Sequence, residues 1–164
     1  MINKNQLTER SFTPSQLSGF DGAHSIQLPV DFIHDLSKAD SLQAVLDTIA
    51  YWISHVFDAD RASITLQDTE EYLKLYSISG NHAIPMDFKI PIGQTFVGRV
   101  FAQSQLIICD DLAQSDELDC KMLSEHGMGT CMDAPMIHNG VCIGTLNVAD
   151  QRKHHYTLQQ AILL

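Results

Sequence analysis

The chain has 164 residues, of which 45% are hydrophobic and 18% are charged, and these totals are ordinary for one soluble globular domain. Twenty acidic against ten basic side chains give a formal charge of −10, and no basic cluster is present that could follow a phosphate backbone. The charge argues against direct nucleic-acid binding and against adsorption to anionic lipid, while a local pocket could still hold a small anion.

The sequence contains no targeting or membrane signal. No apolar run approaches the roughly 18 residues of a membrane span, and the polar start at residues 1–6 lacks the apolar core of a signal peptide. We therefore expect no membrane insertion and a cytoplasmic location. The cysteines form no C-x-x-C pair for zinc or redox chemistry, and we interpret them as small buried hydrophobes or, in one or two cases, as pocket lining. They are Cys109, Cys120, Cys131 and Cys142.

The first third of the chain is predicted to contain a leader and two helices. Residues 1–27 carry apolar residues without a period, so we expect a loosely ordered leader or linker before a domain at residues 28–164. Apolar spacing then predicts a short helix and a long amphipathic one from Ser41 to about Phe57. The apolar stripe of the long helix should pack against a sheet, whereas Trp52 widens the stripe and could meet a second chain.

The middle of the chain is predicted to alternate short strands with short helices. Apolar residues at positions 62, 64 and 66 share one face of a strand, and those at 96, 97, 100 and 101 follow helical spacing. In order, we predict strands at 61–67, 72–79 and 88–92, a helix starting near Thr95, a strand at 106–109, an acidic segment, and a short helix closed by Gly127.

Residues 131–150 are predicted to form a hairpin around which the domain is built. Asn139-Gly140 suits a two-residue primed turn, and β-rich sequence flanks it on both sides. The turn would place Met136 opposite Ile143. Both faces of the two strands are mostly apolar, so we expect central strands with helices on one side and space for a pocket on the other. Gly144 indicates a bulge or a close approach by another group.

The end of the chain predicts one more helix. Thr157 and Gln160 have the spacing of a capping box, and Tyr156 can pack against Ala161 as a hydrophobic staple. Only four residues follow the capping box, and a helix this short is marginal by itself. We therefore expect a truncated helix that leads into a longer protein.

This order of elements, together with several short motifs, resembles the GAF domain. The resemblance covers about Leu28 to Leu164, and the order and spacing of the motifs carry it, because each motif alone is weak. The resembling residues are Ala59-Asp60-Arg61-Ala62, Ile90-Pro91-Ile92-Gly93 with Gly98, Asp110-Asp111, Pro135, Gly140, Gly144 and Leu146, and the helix start from Tyr156.

The resemblance implies a mixed α/β fold with a six-stranded antiparallel sheet, helices on one face, and a ligand pocket under short helices and loops on the other. It also implies a sensory module that precedes an output domain such as a cyclase, histidine kinase, phosphodiesterase or transcription activator. Its terminal helices would form a homodimer. A small-molecule ligand is expected, but the resemblance does not identify it.

Three specialised versions of the family can be compared with this chain residue by residue. Free methionine sulfoxide reductases of this fold place pocket cysteines where Val97 and Phe88 stand here, so that chemistry is not supported. Bilin-binding members carry a cysteine, commonly followed by histidine, near the position of Cys120, but Lys121 replaces the histidine. The N-K-x-D-like signature of cyclic-nucleotide-binding members is incomplete in Asn147-Val148-Ala149-Asp150, where Asn147 and Asp150 could simply shape the strand end.

We interpret the chain as a non-enzymatic, small-molecule-sensing domain with no catalytic residues and no metal site. The alternatives are an enzyme like the free methionine sulfoxide reductases, a bilin photosensor that uses Cys120, and a purely structural dimerisation module with a filled pocket. Arg99 is expected to pair with Asp110 or Asp111, or to bind an anionic ligand. The pocket candidates, chosen by position, are Phe96, Arg99, Asp110, Asp111, Cys120, Met122, Cys131 and Asp133.

Overall fold

Seven antiparallel strands form one sheet in the computed structural model, which describes residues 8–18 and 29–164. The predicted strand and helix positions agree with the observed elements to within a few residues. The strands are β1 Glu9–Phe12, β2 Arg61–Gln67, β3 Tyr72–Gly80, β4 Lys89–Pro91, β5 Leu106–Cys109, β6 Thr130–His138 and β7 Val141–Asp150, and their spatial order is β1-β5-β6-β7-β2-β3-β4.

The described ranges contain six α-helices. Ser41 caps the long helix by accepting a hydrogen bond from the Ala44 N–H. The predicted capping box of Thr157 and Gln160 is formed. No helix within the described ranges is long and apolar enough to span a bilayer. The helices are α1 Pro14–Ser18, α2 Val30–Lys38, α3 Leu42–Val56, α4 Phe96–Gln103, α5 Leu118–Glu125 and α6 Leu158–Leu163.

The two faces of the sheet are covered by different helices. On one face, Ile64 of β2 packs against Leu46 and Ala50 of α3, and Tyr156 and Ala161 extend the same side towards α6. On the opposite face, α4 lies over β6 and β7, and α5 lies beside α4. The alternation of residues along each strand therefore decides which side chains meet the long helix and which face the short ones.

The N-terminal strand corrects two expectations. Residues 9–12 pair with β5 as an edge strand, so the sheet has seven strands instead of six, and the prediction of a loosely ordered leader is wrong for residues 8–18. Two ion pairs, Arg10 with Asp110 and Glu9 with Arg99, hold β1 together with one partly buried phenylalanine. Neither kind of contact produces an apolar period in the sequence. The remaining leader residues lie outside the described ranges.

The β6–β7 hairpin has the predicted turn but a different register. Asn139 and Gly140 both have positive φ, as a type I′ turn requires. Beyond the first two pairs Ile143 is an extra residue, so Met136 faces Gly144 and the predicted partner Ile143 is wrong. Both strands are central in the sheet, as expected, although the tip is open to solvent, with Val141 63% exposed.

Gly144 lies where β2 approaches β7 most closely. A Cβ atom there would come 2.1 Å from the Thr65 carbonyl oxygen, which is backbone and cannot move aside cheaply. We expect Gly144→Ala to lower the free energy of unfolding by about 1–3 kcal/mol through overpacking. Urea unfolding of the purified domain measures this.

The matched control is Gly93→Ala. A Cβ at Gly93 meets no atom within 4 Å and the residue is exposed, so its effect should stay within about 0.5 kcal/mol. If Gly144→Ala and Gly93→Ala lowered the free energy of unfolding equally, the close approach of β2 to β7 would not require glycine at position 144.

Candidate functional site

Polar side chains form two lateral rows on the sheet face beneath α4 and α5. In one row Ser63, Asn147 and Asp133 are direct neighbours across β2, β7 and β6. In the next row, two residues along each strand, Arg61 and Cys131 flank Ala149 of β7. Residues two apart on a strand point to the same side, so both rows face the short helices.

These rows form the floor of a cavity of about 30 Å³. Its walls are mostly apolar, with Val97 of α4 and Leu123 of α5 above and Ile90 of β4 at the side. One water molecule needs roughly 10–15 Å³ of such cavity volume. The cavity therefore has room for a few atoms in this conformation, far less than the several hundred Å³ of pockets that bind drug-sized ligands.

Asp119 holds the two roof helices together. Its carboxylate accepts hydrogen bonds from the backbone N–H groups of Phe96 at 2.8 Å, Val97 at 3.0 Å and Cys120 at 3.0 Å. Burial raises the pKa of Asp119, while these three N–H groups favour the ionised form. The carboxylate is thus occupied by the start of α4 and has little capacity left for a ligand.

Arg61 is the cation of the cavity. Arg61 is only 4% exposed, and its guanidinium donates hydrogen bonds to the backbone carbonyls of Asn81 and Ile84. Desolvation by burial lowers the pKa of Arg61 to about 10, and the nearby Asp133 charge opposes that shift. Arg61 therefore remains charged at neutral pH.

Asp133 and Asn147 bring unfilled acceptors to the same cavity. Asp133 is 5% exposed, and no described residue donates a hydrogen bond to its carboxyl group. Burial raises the pKa of Asp133 well above its usual range; Asp119 adds to the shift and Arg61 opposes it. Within the described ranges the buried Oδ1 of Asn147 also lacks a donor, although its Nδ2 donates to Ser63 Oγ at 3.3 Å.

The eight pocket candidates divide by position. Cys131 and Asp133 line the cavity. Phe96 and Cys120 are buried in the apolar core beside it, and Met122 packs partly against that core. Ligand binding by these residues stays a prediction.

The three charged candidates that do not line the cavity form ion pairs. Arg99 bonds Glu9 at 2.7 Å and Glu117 at 2.6 Å, so the expected pairing with Asp110 or Asp111 is wrong. The strand β1, absent from the sequence-based topology, supplies one of these partners. Asp110 pairs with Arg10, and Asp111 pairs with Lys153.

Five polar cavity residues were not among the candidates: Arg61, Ser63, Thr65, Asp119 and Asn147. The alternation of β2 carried a usable signal for Arg61 and Ser63, because polar residues facing inward on a central strand usually have a partner or a ligand. Asn147 lies beside Asp133 only because the bulge shifts the register by one residue. Asp119 precedes Cys120 in a short helix, and nothing local shows that its carboxylate reaches α4.

Three of the four cysteines converge, which their spacing did not predict. Cys109 and Cys131 are opposite each other in β5 and β6, and the Cys120 thiol lies close enough to both to influence their pKa values. All three are buried, and burial raises the pKa of Cys131, so the reactive thiolate is disfavoured. No group of three His, Cys, Asp or Glu side chains in the described ranges is arranged to hold a metal ion.

The family follows from comparison with known proteins. A model of the GAF domain family matches residues 41–164. This chain belongs to the GAF domain family. No curated protein is similar enough in sequence to count as a relative.

Solved structures place this GAF domain among others of the same fold. The GAF domain of a phosphoenolpyruvate-protein phosphotransferase from Coxiella burnetii is 18% identical, with a TM-score of 0.69 over 81% of this chain and 82% of that one. A free methionine-R-sulfoxide reductase from Neisseria meningitidis, solved with its substrate, is 20% identical, with a TM-score of 0.67 over 80% and 75%. The chromophore-binding domain of a bacteriophytochrome from R. palustris is 13% identical, with a TM-score of 0.60 over 80% and 54%. At such low sequence identities, these structural similarities show a shared fold alone.

The thiols of this GAF domain should differ sharply in reactivity. Cys142 is half-buried near the hairpin tip, whereas Cys109, Cys120 and Cys131 are buried. We expect Ellman's reagent to modify one thiol quickly in the native protein and four after denaturation, with the fast phase lost in Cys142→Ser. Rapid native modification of Cys120 would contradict this assignment and would favour thiol chemistry at the cavity.

Asp133 should make folding stability depend on pH. The pKa of Asp133 is higher in the folded than in the unfolded state, so the folded state binds the proton more tightly. The free energy of unfolding is therefore greatest below the unfolded pKa and falls as the pH rises through the folded pKa. We expect Asp133→Asn to exceed the native protein in unfolding free energy by about 1–3 kcal/mol at neutral pH, and by less at about pH 5.

The pH series by urea unfolding needs a charge-matched control. Asp87 is an exposed loop residue, so Asp87→Asn removes the same charge without changing the cavity. A difference between Asp133→Asn and the native protein that stays constant with pH would mean that the Asp133 carboxyl does not titrate differently on folding.

Proposed function

We propose that this GAF domain is a non-enzymatic sensor of a small molecule, located in the cytoplasm as part of a larger signalling protein. The ligand binds between the β2–β7–β6 floor and the α4–α5 roof, and its presence is transmitted through α2 and α3 to an output domain. The observation that carries the proposal is the cavity itself, in which the buried Arg61 and Asp133 side chains and the buried Oδ1 atom of Asn147 have hydrogen-bonding capacity unused.

Unfilled buried polar groups favour ligand binding for a thermodynamic reason. A buried donor or acceptor without a partner costs about 1–3 kcal/mol, and a charged group costs more. A molecule that supplies the missing partners recovers part of that cost when it binds. The floor lies on three central strands, so these groups are held in position before the ligand arrives.

The sheet offers a direct route from the cavity to the long helix. Ser63 faces the cavity, while the next residue, Ile64, packs against α3 on the opposite face. Asp47 of α3 also accepts a hydrogen bond from Ser77 Oγ of β3 at 2.6 Å. A ligand can shift α3 only if it binds one helix arrangement more tightly than another.

The outer surface of α2 and α3 supports a homodimer. In α2 no residue is buried, and Val30 and Ile33 are 80% and 56% exposed. Trp52 forms ring contacts with Phe32 at 6.1 Å and with Tyr51 at 5.7 Å on the same surface. Aromatic side chains grouped with exposed aliphatic ones are typical of protein–protein contacts. We propose that a second copy of this chain covers them.

A thiol-dependent reductase is the second candidate, and the convergence of Cys109, Cys120 and Cys131 is the observation that favours it. Only Cys131 of the three lines the cavity, and its raised pKa opposes nucleophilic attack. Attachment of a bilin through Cys120 would require this fully buried thiol to reach the ligand. Sensing without chemistry therefore fits the geometry better than either alternative.

Native mass spectrometry tests the sensor and the dimer together. Ala149→Leu fills the cavity floor, and Ile33→Glu places a charge on the exposed face of α2. We expect the native protein to be a dimer that retains a small molecule, either from purification or after incubation with a deproteinised metabolite extract. Ala149→Leu should lose the molecule and keep the dimer. Ile33→Glu should keep the molecule and weaken dimerisation at least about tenfold.

The control for the surface substitution is Met86→Glu, which adds the same charge to an exposed loop. Circular dichroism establishes that each variant is folded before its mass is measured. A monomer in every sample, with no small molecule retained by any of them, would rule out the proposed function. Sulfoxide turnover that disappears in Cys131→Ser would replace it with the reductase.

A further inference from the structure

The cavity presents a guanidinium and a carboxyl group that do not meet directly, and burial favours the neutral form of that carboxyl until a cationic partner binds it. Arg61 and Asp133 influence each other electrostatically, yet they form no direct ion pair. They stand on β2 and β6, which flank β7. Neighbouring strands are about 4.8 Å apart and a strand rises about 3.4 Å per residue, so Arg61 and Asp133, which stand on opposite sides of β7 and in neighbouring rows, have backbones roughly 12 Å apart. A gap between opposite charges is left at the centre of the floor.

Each side of this gap has unused hydrogen-bonding capacity. A guanidinium carries five N–H donors, and among the described residues the Arg61 side chain donates to two acceptors, the backbone carbonyls of Asn81 and Ile84. On the other side, the Asn147 Oδ1 is a buried acceptor without a donor from the described residues. The Asp133 carboxyl lines the same cavity, and no hydrogen bond from a described residue reaches it. One end of the gap therefore suits an anionic acceptor, and the other suits a group rich in N–H donors.

A ligand with a single charge would satisfy one end and oppose the other. A simple anion would pair with Arg61 but face Asp133 and Asp119 in a protein whose formal charge is −10. A simple cation would pair with Asp133 but be repelled by Arg61. A molecule that carries both charges and is neutral overall meets neither penalty.

The size of the cavity limits the ligand further. A volume of about 30 Å³ holds about two or three water-sized groups. The site therefore excludes large ligands, and its roof must move outward to admit even a small amino acid. Val97, Leu123 and Ile90 add apolar walls near the charged groups. These walls favour a short apolar substituent between or beside the two charges.

We propose that the ligand is a small zwitterion of the α-amino acid class, with its carboxylate on Arg61 and its ammonium N–H groups on Asp133 and Asn147. This inference rests on the proposed sensing function and names the chemical class that the site takes. Asp119 remains the positioning residue of the roof, because its oxygens are already bonded to α4.

Isothermal titration calorimetry with matched probes tests the class. The probes are glycine, L-alanine and L-valine, together with the N-acetyl and carboxamide derivative of each. We expect at least one free amino acid to bind, and we expect either modification to weaken its binding at least tenfold. Glycine betaine, which keeps both charges but has no N–H donor, should bind at least tenfold more weakly than glycine if glycine is the amino acid bound.

A variant of Asp133 tests where the ammonium end of the ligand lies. Asp133→Asn keeps the shape of the side chain and should remove the advantage of the free amino acid over its N-acetyl derivative. Asp87→Asn, with the same charge change on an exposed loop, should bind like the native protein. If Asp133→Asn still preferred the free amino acid over its N-acetyl derivative by the same factor as the native protein, the assignment of the ammonium group to this carboxyl would be overturned.

The outcomes separate this inference from the proposed function. If native mass spectrometry shows a retained molecule that is not zwitterionic, and no free amino acid binds, the ligand class is wrong while sensing stands. If N-acetyl derivatives bind as tightly as free amino acids, the class is also wrong. If no small molecule binds at all, both the ligand class and the proposed function fall.

Discussion

One buried carboxylate holds the cavity of this domain together. Asp119 accepts hydrogen bonds from the first two N–H groups of α4, where a helix has unpaired donors and a partial positive charge. The roof helices have only eight residues each, and helices of that length are marginal alone. Their mutual position therefore depends on this contact, on the Arg99–Glu117 pair outside it, and on apolar packing over the sheet.

The floor of the cavity shows why a shared fold does not fix a shared function. The phosphotransferase, reductase and phytochrome domains have the same architecture at 13–20% identity, so each can present different side chains from corresponding strands. In this chain the floor combines Arg61, Asp133 and Asn147, while the nearby thiols are buried and protonated. Its chemistry is that of polar recognition, and the proposed zwitterion follows from it.

The errors of the sequence-based prediction have identifiable physical causes. The bulge at Ile143 moves every later β7 residue to the opposite face from the predicted one, which places Asn147 and Ala149 over the cavity. The strand β1 was missed because ion pairs from Arg10 and Glu9 hold it, and such pairs leave no periodic signal. Arg99 was assigned the wrong partners for the same reason.

The sequence by itself determined the local structure of this protein: the turn at Asn139-Gly140, the caps at Ser41 and Thr157, and the bounds of most strands and helices. These features depend on backbone preferences and on apolar periods within short stretches of chain. Tertiary structure alone decided which charges meet, where β1 docks, and how Cys109, Cys120 and Cys131 come together. Those contacts join residues far apart in the chain, and their geometry depends on strand register and packing that no local pattern encodes.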